Sequence, residues 1–353
     1  MELDIDKDPQ LKTLVGFGQT GLDNLGNTCF LNTAIQCLSS IKNLTAYFLS
    51  NTYSEDLNMD KAEHELVEEY ANLIKDIWRG NRRVNPSHFK KCLGRFYDSY
   101  AGFRQNDSAE AYIKLIELLH EGLSYEVEID EPIGVHSISD QINLEAIKVW
   151  RENYENNYSI ILKMFYGQFW NRVKCDMCNT ISSNYDPFSI INLPINENTN
   201  TIFDCISYYV LSEDMDDDNL IHCEKCNKKC RGKKKSTIWR VPPVLTFGFN
   251  RFDDRGRKID KLIEFPTGKC TFSNLVQKPS DKKNVYELVA VGNHEGGLNG
   301  GHYWAYGKGT NGNWYEYNDS RVNEIDTSTL VSSNAYYIIY IKRGLTIKET
   351  IIS

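Results

Sequence analysis

A few short stretches of the chain hold the residues that could do chemistry. In Gly21-Leu22-Asp23-Asn24-Leu25-Gly26-Asn27-Thr28-Cys29 a turn rich in glycine and asparagine runs into an amphipathic segment, with Cys29 at the junction. A thiol at a helix start faces unpaired N–H groups and the positive end of the helix dipole. Both favour the thiolate, which is the nucleophile. Asn24, on the same turn, offers an amide donor to an oxyanion. Loss of one such donor costs about 2.7–4 kcal/mol of transition-state stabilisation. Taken alone, Cys29 also fits a blander role, a small buried hydrophobe opening a helix.

A nucleophilic thiol needs an imidazole to share its proton and a polar group to hold the ring. Of seven histidines, His302 stands in Gly300-Gly301-His302-Tyr303-Trp304, where the glycines admit a substrate backbone and the aromatic run begins a strand. The turn signal Lys308-Gly309-Thr310-Asn311-Gly312-Asn313 lies midway between His302 and Tyr317-Asn318-Asp319. A hairpin there would return Asn318 or Asp319 beside His302. His294 opens the stretch His294-Glu295-Gly296-Gly297-Leu298-Asn299 and reads as the rim of a glycine-rich loop.

Cys175-Asp176-Met177-Cys178 and Cys223-Glu224-Lys225-Cys226 are two CxxC turns, each placing two sulfurs on one tight bend. Four sulfurs make a closed tetrahedral site, the structural kind of zinc centre. The 44 residues between the pairs exceed compact ribbon spacing and suit knuckles at the tips of two distant hairpins. Cys230 is a fifth thiol nearby, with poorer spacing than Cys226. Cys37, Cys92, Cys205 and Cys270 read as structural.

The elements that must position these groups follow from periodicity. Helical spacing runs over 29–40 (Leu31, Ala34, Ile35, Leu38), 61–79 (Leu66, Tyr70, Leu73, Ile74, Ile77) and 107–121 (Tyr112, Leu115, Ile116, Leu119). Residues 124–145 are acidic and turn-rich and read as a loop, with a helix following through Trp150 and Tyr154 to Asn157. Strands are expected over Tyr166–Cys175 and Ile181–Leu193, with a short helix over 202–211. Alternation at Leu245, Phe247 and Phe249, and again at Tyr286, Leu288 and Ala290, predicts strands. Ala335–Lys342 reads as a strand buried on both faces. Helices first and antiparallel strands later make an α+β class.

The motifs together resemble one family. Gly-Asn-Thr-Cys-Phe-Leu-Asn, with Gln36 beyond it, is similar to the cysteine box of the ubiquitin-specific proteases. Gly-Gly-His-Tyr followed by Trp-Tyr-Glu-Tyr-Asn-Asp-Ser resembles their histidine box. Gln105-Asn106-Asp107-Ser108-Ala109-Glu110 looks like their glutamine box, with Asn106 and Ser108 departing from the commonest residues. Phe249-Asn250-Arg251-Phe252 and Phe265-Pro266 match further segments, and the likeness runs in order from about Phe17 to Arg343.

The resemblance implies a papain-like α+β fold: a helical thumb over about 17–125, zinc-binding β fingers over about 165–240 and a β-rich palm mostly over 241–343. A leader 1–16 and a tail 344–353 would flank it. It further implies Cys29 as nucleophile, His302 as base, Asn318 as orienter with Asp319 as helper, and Asn24 at the oxyanion. Asp107, Tyr303, His294 and Gly301 would contact substrate. Asp107 would bind the arginines of the ubiquitin tail; an N-cap role on the third helix is the plainer alternative, and the two are compatible. One structural Zn2+ would sit on Cys175, Cys178, Cys223 and Cys226. The implied activity is hydrolysis after ubiquitin's C-terminal glycine through a thioester.

Bulk composition agrees. With 353 residues, 41% hydrophobic and 25% charged, the chain can build a large core. A net charge of −8 argues against bulk electrostatic binding of nucleic acid. No apolar run is long enough to span a membrane, and the acidic start, without an apolar stretch, argues against a secretory signal. The expected setting is cytoplasmic or nuclear, the expected state a monomer. An inactive ubiquitin binder would be expected to lack a member of the catalytic set. A zinc-dependent adaptor would leave Cys29 and His302 unexplained.

Overall fold

The structure is a computed structural model and describes residues 18–344 apart from 132, 133, 135, 212, 279, 280 and 299. The expected leader 1–16, and all but the first residue of the tail, lie outside the described residues. The chain begins with strand β1 (Gly21–Leu22) and then α1 (Cys29–Ser39), α2 (Lys42–Leu49) and α3 (His64–Ile77). Strand β2 (Arg83–Val84) pairs parallel with β1, and α4 (Ser87–Phe96), α5 (Asp98–Ala101), α6 (Ser108–Gly122), α7 (Ile138–Tyr154) and α8 (Ile160–Phe165) complete the helical part.

All eleven residues of α1 are buried, not only the apolar face expected from its sequence. It lies between α6 and the large sheet. Its buried polar groups therefore need partners. Gln36 Nε2 donates to the Thr20 carbonyl at 2.8 Å, and Asn32 reaches across to Asp319. Helix α7 starts at Ile138, inside the stretch expected to be a loop, because Ser137 caps it by accepting from the Asp140 N–H at 3.1 Å. It ends at Tyr154, short of Asn157.

Strands β3 (Gly167–Cys175), β4 (Ile181–Asn184) and β5 (Pro187–Phe188) follow, then β6 (Ile191–Pro194), α9 (Ile202–Tyr209) and β7 (Glu213–Met215). The single strand expected over 181–193 is thus broken in three. Pro187 has no N–H for a ladder, and the Asp186 carbonyl turns to accept from Phe169 N–H at 2.8 Å. A hairpin of β8 (Ile221–Cys223) and β9 (Lys228–Cys230) precedes β10 (Gly232–Arg240). Strands β4, β3, β10 and β7 form one antiparallel sheet in that order, with β5 also on β3.

The large sheet contains β11 (Val244–Asn250), β12 (Lys269–Thr271), β13 (Val285–Gly297), β14 (Gly300–Lys308), β15 (Trp314–Asn318), β16 (Arg321–Ile325) and β17 (Ala335–Lys342). Its order is β16-β15-β14-β13-β17-β11-β6, with β12 on β13. Strand β6 therefore belongs to the palm although it lies within the stretch expected to form the fingers. Alternation along β17 divides the core. Tyr337, Ile339 and Ile341 face the helices, while Ile338 and Tyr340 face Phe247, Leu288 and the α9 side. Its burial on both faces is as expected from its sequence.

Candidate active site

The turn before α1 is held by its own side chains. Asn24 Oδ1 accepts from the N–H groups of Gly26 (3.0 Å) and Thr28 (3.1 Å), and Thr28 Oγ1 accepts from Leu25 N–H at 2.9 Å. Asn27 takes a left-handed backbone (φ 57°) and donates from its side chain to the Phe103 carbonyl at 2.9 Å. Cys29 emerges at the start of α1 and is 3% exposed. Burial pushes its thiol up. The backbone N–H of Tyr303 opposes this, the Asp319 carboxylate adds to it, and the N–H groups of Phe30 and Cys29 itself pull back down. The helix start alone predicted a favoured thiolate, but in the folded free chain desolvation outweighs it.

The expected hairpin is present. Strands β14 and β15 pair with Ala305 opposite Tyr317, which brings Asn318 back toward His302. His302 Nε2 and Asn318 Oδ1 are 2.7 Å apart. An amide oxygen only accepts, so Nε2 carries the proton and Nδ1 is left for another partner. Trp304 stacks on the imidazole at 6.2 Å between centroids, 18° from parallel. The Tyr303 N–H, one residue on, points at the Cys29 sulfur, so the histidine strand and the nucleophile share one cleft.

Asp319 does not back His302, as its assignment as a helper implied. The chain turns there in a left-handed conformation (φ 51°), and its carboxylate meets the thumb. It accepts from Asn24 Nδ2 at 2.9 Å and from Asn32 Nδ2 at 2.8 Å, and its carbonyl accepts from Leu22 N–H at 2.8 Å. Gly21 is required beside this turn, since a Cβ there would stand 2.5 Å from the Ser320 backbone. Asp319 thus clamps the amide of Asn24. That amide has two N–H groups and Asp319 takes one, leaving the other for an oxyanion.

Asp107 fills the capping role. Its Oδ1 caps α6 by accepting from Glu110 N–H at 2.9 Å, while Oδ2 accepts from the hydroxyls of Tyr336 (2.5 Å) and Tyr303 (3.5 Å). It also lines a cavity of about 430 Å³ between α6 and the palm, with Glu110, Asn250, Arg251, Phe252 and Tyr336. Two expectations are corrected here. His294 is no loop rim. It lies within β13, 2% exposed, with its ring 4.4 Å from that of Tyr303. Burial, with Lys258 adding, pushes it down to about 4, so it packs as a neutral ring. Nor is Gly301 open to a substrate backbone. Gln105 donates from Nε2 to its carbonyl at 3.1 Å and accepts from its N–H at 3.2 Å. A Cβ on Gly301 would stand 2.4 Å from the Glu295 carbonyl and from His294 Nε2, so the fold itself demands glycine.

Each CxxC turn is followed by an asparagine in the left-handed region, Asn179 (φ 57°) and Asn227 (φ 48°), which closes the knuckle. The Sγ atoms of Cys175, Cys178, Cys223 and Cys226 all lie within 4.8 Å of one another. The Thr180 hydroxyl, with the Thr180 backbone N–H, pulls Cys178 down to about 6, while Cys178 leads in pushing Cys226 up. Four thiols this close ionise together only around a cation, so the donor set fits a closed metal site. Cys230 stays outside this set, buried beside it with its sulfur 3.5 Å from that of Met177.

Asn32, Gln105 and Tyr336 were not singled out from sequence as site residues. For Asn32 a signal existed: an amide beside the apolar face of an amphipathic helix needs a partner from elsewhere in the chain. Gln105 was marked only as part of the glutamine-box likeness and Tyr336 not at all, because their partners are set by the approach of thumb to palm.

The chain matches the family described as ubiquitin carboxyl-terminal hydrolase over residues 20–340. It is 34% identical to human ubiquitin carboxyl-terminal hydrolase 2 over 340 residues, covering 92% of this chain and 55% of that protein. It is 30% identical to mouse ubiquitin carboxyl-terminal hydrolase 21 over 363 residues, covering 95% and 63%. The chain thus spans somewhat over half the length of these relatives. Among solved structures it resembles a SAGA DUB module bound to monoubiquitin, with a TM-score of 0.74 at 24% identity over 93% of this chain and 70% of that one. A SAGA Ubp8/Sgf11/Sus1/Sgf73 module bound to ubiquitin aldehyde gives 0.72 at 23%, with the same coverage. The papain-like thumb, palm and fingers, the thiol–imidazole cleft and the match along nine-tenths of the sequence agree: this chain belongs to the ubiquitin carboxyl-terminal hydrolase family, as one of the ubiquitin-specific proteases.

Proposed function

We propose that the chain is a cysteine-type deubiquitinase that hydrolyses the bond after the C-terminal glycine of ubiquitin. One observation carries the reading: His302 is held by Asn318 at 2.7 Å on the strand whose next N–H points at the Cys29 sulfur. With Nε2 committed to Asn318, Nδ1 takes the thiol proton. Sγ attacks the glycine carbonyl, and the oxyanion is met by the free N–H of Asn24. His302 then gives its proton to the leaving lysine amine as the C–N bond breaks, leaving a thioester. Water adds to that carbonyl with His302 as base, the S–C bond breaks, and ubiquitin leaves with a free carboxylate. Asp107 and the cavity beside it would take the basic tail of ubiquitin, a carboxylate suiting guanidinium. Cys175, Cys178, Cys223 and Cys226 would hold one structural Zn2+ that stiffens the fingers against the body of ubiquitin. The enzyme would act as a monomer in the cytoplasm or nucleus, where ubiquitin conjugates occur.

The test is release of a fluorophore from ubiquitin's C-terminus by wild type and Cys29→Ala, with a ubiquitin C-terminal electrophile in parallel. The expected result is turnover lost in the variant and a single adduct at Cys29. Turnover only on another Gly-Gly-ending modifier would reassign the substrate, and tight ubiquitin binding without turnover would overturn the enzyme.

A further inference from the structure

Residues 79–104 differ in charge from the rest of the chain. They contain seven lysines and arginines and one acid, Asp98, so the stretch carries +6 and the remainder −14. Folded, it forms β2, α4 and α5 and lies against the nucleophile turn. Asp23 N–H donates to the Val84 carbonyl at 2.9 Å, and Asn27 Nδ2 to the Phe103 carbonyl at 2.9 Å. A cavity of about 540 Å³ opens there, lined by Leu25, Ser87, Lys90, Lys91, Arg95 and Phe103 among others.

The cations around it are incompletely neutralised. Lys90 is buried, and its ammonium donates to the carbonyls of Tyr100 (3.2 Å), Ala101 (3.4 Å) and Gly102 (2.7 Å), with no carboxylate paired to it among the described residues. Arg95 pairs with Glu65 at 2.5 Å. Lys91 is exposed and makes no ion pair among the described residues, nor do Arg82 and Arg104 of the same stretch. Phe103, with its ring 5.0 Å from the Lys90 ammonium, is 67% exposed and adds an apolar wall.

Residues 103–107 link this cavity to the cleft. Phe103 lies at the turn before Cys29, Gln105 on Gly301 beside His302, and Asp107 at the palm cavity. If the ubiquitin tail occupies the Asp107 end, the leaving group departs toward the Phe103 end.

We propose that this basic cavity binds an acidic segment of the protein to which ubiquitin is attached, on the leaving-group side of Cys29; this rests on the deubiquitinase reading. Carboxylates next to the modified lysine would meet Lys91 and the field of Lys90 in a partly desolvated space, and salt would weaken the attraction. A nucleic acid suits the site less well, since its backbone wants an extended basic track and this cavity is short and mostly apolar in its lining.

The test compares two isopeptides, ubiquitin joined to a lysine flanked by Asp and Glu or by Asn and Gln, alongside the ubiquitin–fluorophore. Wild type should prefer the acidic isopeptide about 5- to 10-fold in kcat/KM at low salt, with the preference collapsing in 0.5 M salt. Lys91→Glu and Ser87→Glu should each abolish the preference and leave ubiquitin–fluorophore release unchanged. Equal rates on the two isopeptides, with the fluorophore still released, would overturn this site and spare the enzyme. A preference surviving in both variants, or an oligonucleotide competing better than a free acidic peptide, would overturn it too. No release from any of the three substrates would sink the proposal together with the reading it rests on.

Discussion

The four clustered cysteines of the fingers and Cys29 in the cleft are all thiols on tight turns, yet the fold treats them oppositely. At the finger tips a local turn does most of the work. Cys178 meets the hydroxyl and N–H of Thr180, two residues away, and is pulled down to about 6. Cys29 is desolvated by the packing of thumb on palm, and burial pushes it up. The imidazole beside it, the amide that holds that ring and the carboxylate that grips Asn24 come from more than 270 residues further along the chain. A metal cluster with its own charge needs sulfurs brought close and little else. A nucleophile needs a partner at one atom, and only tertiary structure provides that.

The largest effect expected is at the fingers. Structural zinc sites bind with roughly 10–16 kcal/mol in small peptides, so Cys178→Ser should reduce metal content from about one ion per chain to near zero. Alkylation of Cys29 by a small reagent should be unchanged while ubiquitin binding falls. Protein purified without zinc that still binds ubiquitin fully would erase the contrast.

Next is the cleft. Cys29→Ala should lower turnover by at least about 10³-fold, leaving metal content and melting temperature as in wild type. A variant that loses both would mean that Cys29 is the buried hydrophobe of the blander reading.

Asn24→Ala should cost about 10²–10³-fold in kcat with little change in KM, the signature of a donor used in the transition state. Because Asp319 holds that amide, Asp319→Ala combined with Asn24→Ala should cost little more than Asn24→Ala alone. Full additivity of the two would separate Asp319 from Asn24 and return it to the imidazole.

The smallest effect sharpens what burial does to titrating groups. Burial pushes His120 and His294 down to about 4. A histidine depressed in the folded state contributes stability above its unfolded value, near 6.5, and loses it as pH falls toward the folded value. Each should account for roughly 2–3 kcal/mol lost between about pH 6.5 and 4. Thermal unfolding across that window should show the decline, with a shallower slope in His120→Gln. A flat profile would mean that these rings are hydrated.

Much of the site was legible because its parts are local. The CxxC pairs, the turn-to-helix junction at Cys29 and the hairpin joining His302 to Asn318 are all read within about twenty residues. The same holds for the strand 335–342, whose continuous Tyr/Ile run needs cover on both faces. The break at Pro187 and the Ser137 cap were also present in the sequence, as a residue that cannot pair and a residue that starts a helix. They were outweighed by the apolar run around the first and the acidic run around the second.

What the sequence by itself determined, then, is the chemistry available: a thiol at a helix start, an imidazole with an amide returning on a hairpin, and four sulfurs on two bends. These are set by spacings of a few residues, over which backbone geometry leaves little freedom. Tertiary structure alone decided that Asp319 grips Asn24 and Asn32 instead of the histidine, that Gln105 closes on Gly301, and that His294 is a buried ring. Each of those depends on how closely the helical thumb approaches the palm. That distance is the sum of many packing contacts between parts of the chain up to about 300 residues apart, and no short stretch of sequence encodes it.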